Sequence, residues 1–231
     1  MIMKIKEFLL KYKHAAYLIY YPIVVLWFKS LEMRNVSVTN WIWAPIDYKI
    51  PFVAVFVVPY MLWFAFMAVS IAFLGFRDKP EYFKLLTSIY IGMTICCIIY
   101  FLYPHGQPLR EPLTGNEKSV FDWLVANVIY ANDTPTNCAP SIHVANSIFT
   151  TIALQRSKAI KKYKLLLIGA HLLNLLIIAS TMFIKQHSVI DAILGVALAA
   201  VVYLLVYAID WRGQYESFLE RRAKRKSMQT A

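Results

Sequence analysis

Cysteine is scarce in this chain: there are three, Cys96 and Cys97 side by side in an apolar run and Cys138 alone in a loop. That pattern excludes a disulfide framework and offers no zinc-ligand spacing, and the HExxH signature of zinc proteases is also missing. Charge is sparse, at 16% of 231 residues, and acidic side chains are the scarcer sign, 13 against 24 Lys and Arg. No internal repeat, low-complexity tract or series of short alternating segments appears, so neither a repeat array nor an outer-membrane barrel is indicated. What the chain has in quantity is apolar surface. Hydrophobic residues make up 59% of it and aromatic residues 15%, and its mean hydropathy is positive. This composition places it among integral membrane proteins.

Six apolar stretches, at 15–31, 51–75, 84–103, 140–156, 164–184 and 188–209, each approach the ~20 residues that cross ~30 Å of hydrocarbon. Lipid offers backbone amides no partner, so such runs must close their hydrogen bonds internally as helices. The expectation is an all-α polytopic bundle of six transmembrane helices forming one domain over 1–231, with a basic segment at 1–14 and a basic tail at 211–231. The first stretch follows Lys4, Lys6, Lys11 and Lys13, but it is long, aromatic and without a small-residue cleavage site. It reads as a retained span and not a signal peptide.

Lys and Arg set orientation. Of the 24, only Lys29, Arg34, Lys49, Arg110, Lys118 and Lys185 fall on one side of the six stretches, so both termini are expected in the cytoplasm. The net charge of +11 then needs no nucleic acid. The cluster from Arg221 to Lys226 reads as a topology anchor with affinity for anionic lipid headgroups. The connection 104–139 is too long to be structureless, and apolar residues from Val120 onward recur at helical spacing, predicting an interfacial helix. Trp41, Trp43 and Tyr48 suit the headgroup zone as anchors. Asn35-Val36-Ser37 and Asn132-Asp133-Thr134 match the glycosylation acceptor pattern on the outer side.

Threaded this way, stretches four and six both begin at the outer face, bringing His143, His187 and Asp191 to one membrane surface, with Arg110 on the adjoining connection. A histidine four residues before an aspartate predicts both side chains on one helical face, with the carboxylate holding the imidazole. Asp191 is the only acidic residue well inside an apolar stretch, a functional candidate in a membrane. Stretch four is interrupted by Ser141, His143, Asn146, Ser147, Thr150 and Thr151. Pro140 suits a first helical turn, whose free amides would face an anion near Ser141 and His143; Asn146 to Thr151 are read as hydrogen bonds between helices. Ser188, Ala192, Gly195 and Ala199 form a small-residue stripe for close helix contact. His171, His14 and His105 are read as packing residues, and the cysteines carry no function.

These residues resemble the phosphatidic acid phosphatase type 2 superfamily of lipid phosphatases and phosphotransferases. Its second motif, Pro-Ser-x-His, is matched by Pro140-Ser141-Ile142-His143. Its third, a Ser followed after six residues by His-x-x-x-Asp, is matched by Ser180, His187 and Asp191. The first motif survives as Arg110 before Glu111-Pro112, with Tyr103 where the family has lysine; Thr181 replaces an arginine and Ile142 a glycine. The last two substitutions also resemble the sphingolipid-headgroup-transferase branch.

The resemblance implies a metal-independent enzyme without cofactors. His187, oriented by Asp191, would attack phosphorus to give a phosphohistidine, and His143 would protonate the leaving oxygen and then serve as base. Arg110, Ser141, Lys185, Gln186 and Ser180 would form the phosphate-binding set, although Gln186 serves equally as a cap for the sixth helix. The expected substrate is a lipid phosphate or diphosphate at the extracytoplasmic face of the plasma or inner membrane. Headgroup transfer to an alcohol, a non-catalytic lipid or ion pathway, and a metal site built from both histidines and the aspartate stand as alternatives.

Overall fold

The structure, a computed structural model, describes residues 12–34, 38, 40–114 and 119–210. Lys4, Lys6, Lys11, the acceptor site at Asn35, Lys118 and the basic tail cluster lie outside the described residues. A 3₁₀ stretch, Lys13–Ile19, runs into α1 (Tyr20–Glu32). It is followed by α2 (Val57–Arg77), α3 (Lys79–Leu102), α4 (Val120–Leu124, prolonged by a π-helical turn to Tyr130), α5 (Ile142–Arg156), α6 (Lys164–Phe183) and α7 (Val189–Tyr203, prolonged by a π-helical turn to Ala208). Two short strands, β1 (Asn40–Trp41) and β2 (His105–Gly106), pair in parallel and tie the first long loop to the 104–139 connection.

Four of the six expected spans are helices long and apolar enough to cross a bilayer: Ala54–Arg77, Lys79–Leu102, Lys164–Phe183 and Val189–Ala208. The other two stretches form shorter helices. α1 has 13 residues and α5 has 15, which at ~1.5 Å per residue reach about 20 and 23 Å. The 104–139 connection does form an apolar helix, Val120–Tyr130.

α5 is the hub. It packs against α2, α3, α6 and α7, with Val144, Ala145, Phe149 and Ala153 shut away from solvent. Helices approach closely in lipid through small residues and not through expulsion of water, and the α5–α7 contact shows this directly. A Cβ on Gly195 would lie 2.9 Å from the Ser141 carbonyl oxygen and 3.0 Å from the Val144 Cβ. Ser188, Ala192 and Ala199 share its burial, so the predicted stripe is the face that α5 lies on. The polar side chains of α5 bridge helices as expected at Thr150, whose hydroxyl donates to the Met67 sulfur of α2 at 2.9 Å, and otherwise turn back on their own helix. The hydroxyls of Ser147, Thr150 and Thr151 donate to the carbonyls of His143, Asn146 and Ser147 of their own helix, at 2.5, 2.8 and 2.9 Å. A short hydroxyl reaches the carbonyl four residues back more readily than a neighbouring helix.

At the opposite end of the bundle Asp78 caps α3 by accepting from the Glu81 amide at 3.4 Å, and it also accepts from the Ser157 hydroxyl at 2.8 Å. The α2–α3 turn is thereby fastened to the end of α5, and the starts of α5 and α7 are left together at the other end.

Candidate active site

The N-terminus of α7 supplies the first half of the site. Ser188 is its cap: the hydroxyl accepts from the amides of Ile190 and Asp191, while an Asp191 carboxylate oxygen returns to accept from the Ser188 amide at 2.9 Å. Such a box satisfies helix-end donors reciprocally. His187 therefore stands before the helix and not on its face, correcting the one-face expectation. It meets Asp191 because the capping turn folds the chain back, placing Nδ1 3.3 Å from Asp191 Oδ2. With Nδ1–H directed at the carboxylate, the Nε2 lone pair is the free one. The second oxygen, Oδ1, is buried with no partner among the described residues. Asp47 of the first long loop, 2% exposed, accepts from the Val189 amide at 2.8 Å and adds a second carboxylate to this helix start.

α5 supplies the second half. Ser141 is its cap, accepting from the Val144 amide at 3.4 Å, so Pro140 precedes the helix and does not occupy its first turn. The Ser141 hydroxyl, fully buried, is engaged in capping. The Ser141 amide donates to the Asp191 carbonyl at 3.0 Å, joining the two helix starts by backbone. Two residues on, the His143 imidazole lies between the rings of Tyr60 and Trp63, with centroids 4.6 and 4.5 Å away, and faces His187 at a centroid distance of 5.7 Å.

Beside the imidazoles lies a polar cluster that sequence reading recognised only in part. Asp133 accepts from the Tyr60 hydroxyl at 3.0 Å and from Gln186 Nε2 at 2.8 Å. The Arg110 guanidinium donates to the carbonyls of Tyr130 and Asp133 and to Gln186 Oε1, and stacks over the Tyr130 ring at 4.3 Å. Gln186 is thus a link between Arg110 and Asp133 and not a helix cap. Burial pushes the Arg110 pKa down, and Asp133 opposes that shift.

The other two members of the expected phosphate set are not brought to the imidazoles. The Lys185 ammonium donates to the carbonyls of Asp47 and Ile50, and its own backbone is left-handed, φ 57°. Ser180 donates to the Ile177 carbonyl at 2.6 Å within α6.

A cavity of about 580 Å³ opens beside both imidazoles. Lys29, Tyr60, Trp63, Asp133, Asn137 and Cys138 help to line it, and all six escaped the sequence reading as site residues. Asp133 appeared there only within a glycosylation pattern and Lys29 only as an outer-side cation. Tyr60 and Trp63, three apart on a helix, carried a weak signal as an aromatic pair. Cys138 is 2% exposed, reached from this cavity, and burial, with Asp191 and Asp133 adding to it, pushes its thiol well above the ordinary range. A neutral thiol is a poor nucleophile, which leaves the imidazoles as the reactive groups.

His105 secures the strap that carries Cys138. Its Nδ1 lies 2.7 Å from the Tyr103 carbonyl and its Nε2 accepts from the Ala139 amide at 2.8 Å. Those bonds require the neutral ring, and burial pushes its pKa down accordingly. It is more than the packing residue expected, since it fixes the segment entering α5.

Searches against known proteins give one result. A family model described as PAP2 superfamily matches residues 35–205. No curated protein and no solved structure matches the chain.

Proposed function

Since the chain belongs to the PAP2 superfamily, whose members generally hydrolyse phosphoesters, we propose that it is a lipid phosphatase working through a phosphohistidine on His187. The observation that carries this reading is the 5.7 Å spacing of the two imidazoles, with Asp191 behind one of them. Nε2 of His187 attacks phosphorus and the bond from phosphorus to the leaving oxygen breaks, while His143 delivers a proton to that oxygen. His143 then takes a proton from water, which attacks the phosphohistidine and releases phosphate and free His187. Covalent catalysis divides one difficult displacement into two, and one histidine serves as acid and then base. Lys29, which lines the cavity and donates to the carbonyl of Asn132 at 2.9 Å, and Arg110, acting through Gln186, offset charge on the phosphoryl oxygens. No cofactor or metal takes part.

The cavity supports a lipid substrate. Its wall away from the imidazoles is apolar, from Val25 and Leu26 of α1 to Met61 and Phe64 of α2. It shares Tyr21, Trp63 and Phe64 with a second cavity of about 730 Å³ that follows α2 to Gly75 and Phe76. A hydrocarbon chain fits that path. The charge asymmetry supports six crossings, cytoplasmic termini and a site at the extracytoplasmic face of the plasma or inner membrane, with α4 lying in the interface.

The test is a product screen. Purified protein is given phosphatidate, isoprenyl diphosphates and phosphosphingolipids carrying ³²P. Label appearing as inorganic phosphate, and abolished in His187→Ala, is the expected result; label appearing in a new lipid identifies a headgroup transferase instead. A folded His187→Ala protein with full activity on every lipid turned over by the parent contradicts the mechanism.

A further inference from the structure

Cys138, His187 and Asp191 come from places that no spacing rule connects: the strap before α5, the turn before α7 and the first turn of α7. Each nonetheless offers a ligating atom, sulfur, imidazole nitrogen or carboxylate oxygen, and these atoms all lie within 4.8 Å of one another. All three residues are buried. Asp191 Oδ1 has no hydrogen-bond partner among the described residues, which is costly for a carboxylate oxygen removed from solvent. Cys138 and His187 both line the cavity, so an ion has a route of entry.

We propose that these three residues form a binding site for a thiophilic divalent cation such as Zn²⁺, and that the bound cation withholds His187 from phosphoryl transfer. The second half of this statement rests on the phosphohistidine reading, whereas the first does not. The donor set favours zinc, since thiolate and imidazole select borderline-soft ions over magnesium or calcium, which demand oxygen. Tetrahedral zinc, with Zn–S of about 2.3 Å and Zn–N of about 2.0 Å, sets neighbouring ligand atoms about 3.5 Å apart. The cluster closes onto an ion by about 1 Å, within reach of side-chain rotation. Three protein ligands and an open fourth position make an accessible site and not a sealed structural one. Occupancy and phosphorylation exclude each other because both draw on the imidazole of His187 and on Asp191.

Cd²⁺ titration of the purified full chain tests the site without reference to activity. A thiolate-to-metal absorption band that saturates near one equivalent, is lost in Cys138→Ser and persists in the Cys96→Ser/Cys97→Ser double variant is expected. In the parent, Zn²⁺ should slow alkylation of Cys138, read by mass spectrometry, and leave Cys96 and Cys97 unaffected. Zn²⁺ should also inhibit lipid phosphate hydrolysis, with at least a tenfold higher half-inhibitory concentration for Cys138→Ser, judged against that variant's own metal-free rate, and Mg²⁺ should have no such effect. The alkylation measurement stands if the Cys138 variant fails to fold. Absence of the band and of protection in the folded parent, or inhibition unchanged in Cys138→Ser, overturns the proposal. A protein that binds Cd²⁺ through Cys138 but transfers no phosphoryl group from any lipid overturns the enzymatic reading and the inhibition with it, and leaves the metal site standing.

Discussion

Lys185 shows how chemically similar residues separate once their partners are known. Adjacent to the motif, it has the charge a phosphate site wants, yet its ammonium is committed to two carbonyls of the first long loop. Burial pushes its pKa down, with Glu111 and Asp47 acting against the shift. Replacing it with methionine leaves buried acceptors unpaired, a loss of about 1–3 kcal/mol. Lys185→Met should therefore lower the unfolding temperature while changing KM for the lipid phosphate less than Arg110→Met does; a large KM effect with unchanged stability would return Lys185 to the phosphate. The motif histidines and Asp191 were legible in the sequence because ionisable groups are rare in apolar stretches. Tyr60, Trp63 and Asp133 were not, since they reach His143 and Gln186 only through the packing of α2 and the 104–139 connection against α5. Nothing in local spacing encodes that meeting.

Among the elements, the starts of α5 and α7 carry the account. Their caps follow the expected chemistry, serine at each N-cap and an acidic residue completing the box on α7. The sequence reading placed both starts a residue or two early because Pro140 and His187 look helical by position; the caps move each outside its helix. At Gly195 α7 meets the start of α5, and this contact is expected to govern the distance between the imidazoles. Adding one methyl there, Gly195→Ala, forces the Ser141 carbonyl and Val144 away, at a cost of about 1–3 kcal/mol. Activity should fall together with the melting temperature. Gly169→Ala on α6, where a Cβ would meet nothing within 4 Å, should leave both within the range of ordinary surface changes. Equal effects of the two substitutions would mean that α5–α7 spacing does not govern the site.

At the scale of the whole molecule, hydropathy revealed the helices better than their lengths. Long spans follow from composition, but α1 and α5 emerge short because flanking segments turn into 3₁₀ helix or strap. The proposed orientation makes a direct prediction. A membrane-impermeant maleimide should label a cysteine placed at Trp43, exposed in the first long loop, from outside intact cells. A cysteine placed at Lys158, in the α5–α6 connection, should react only after permeabilisation. The reverse pattern would put the imidazoles on the cytoplasmic side.

The decisive measurement is a trapping experiment. Purified protein mixed with a ³²P-labelled lipid phosphate and quenched within the first turnover should carry label that is stable to alkali and labile to acid, the behaviour of a phosphoramidate. It should be absent from His187→Ala, and in His143→Ala, where the leaving oxygen lacks its acid and water its base, it should both form and decay more slowly than in the parent. A turning-over enzyme that never carries such label, or that carries it equally without His187, would contradict the account.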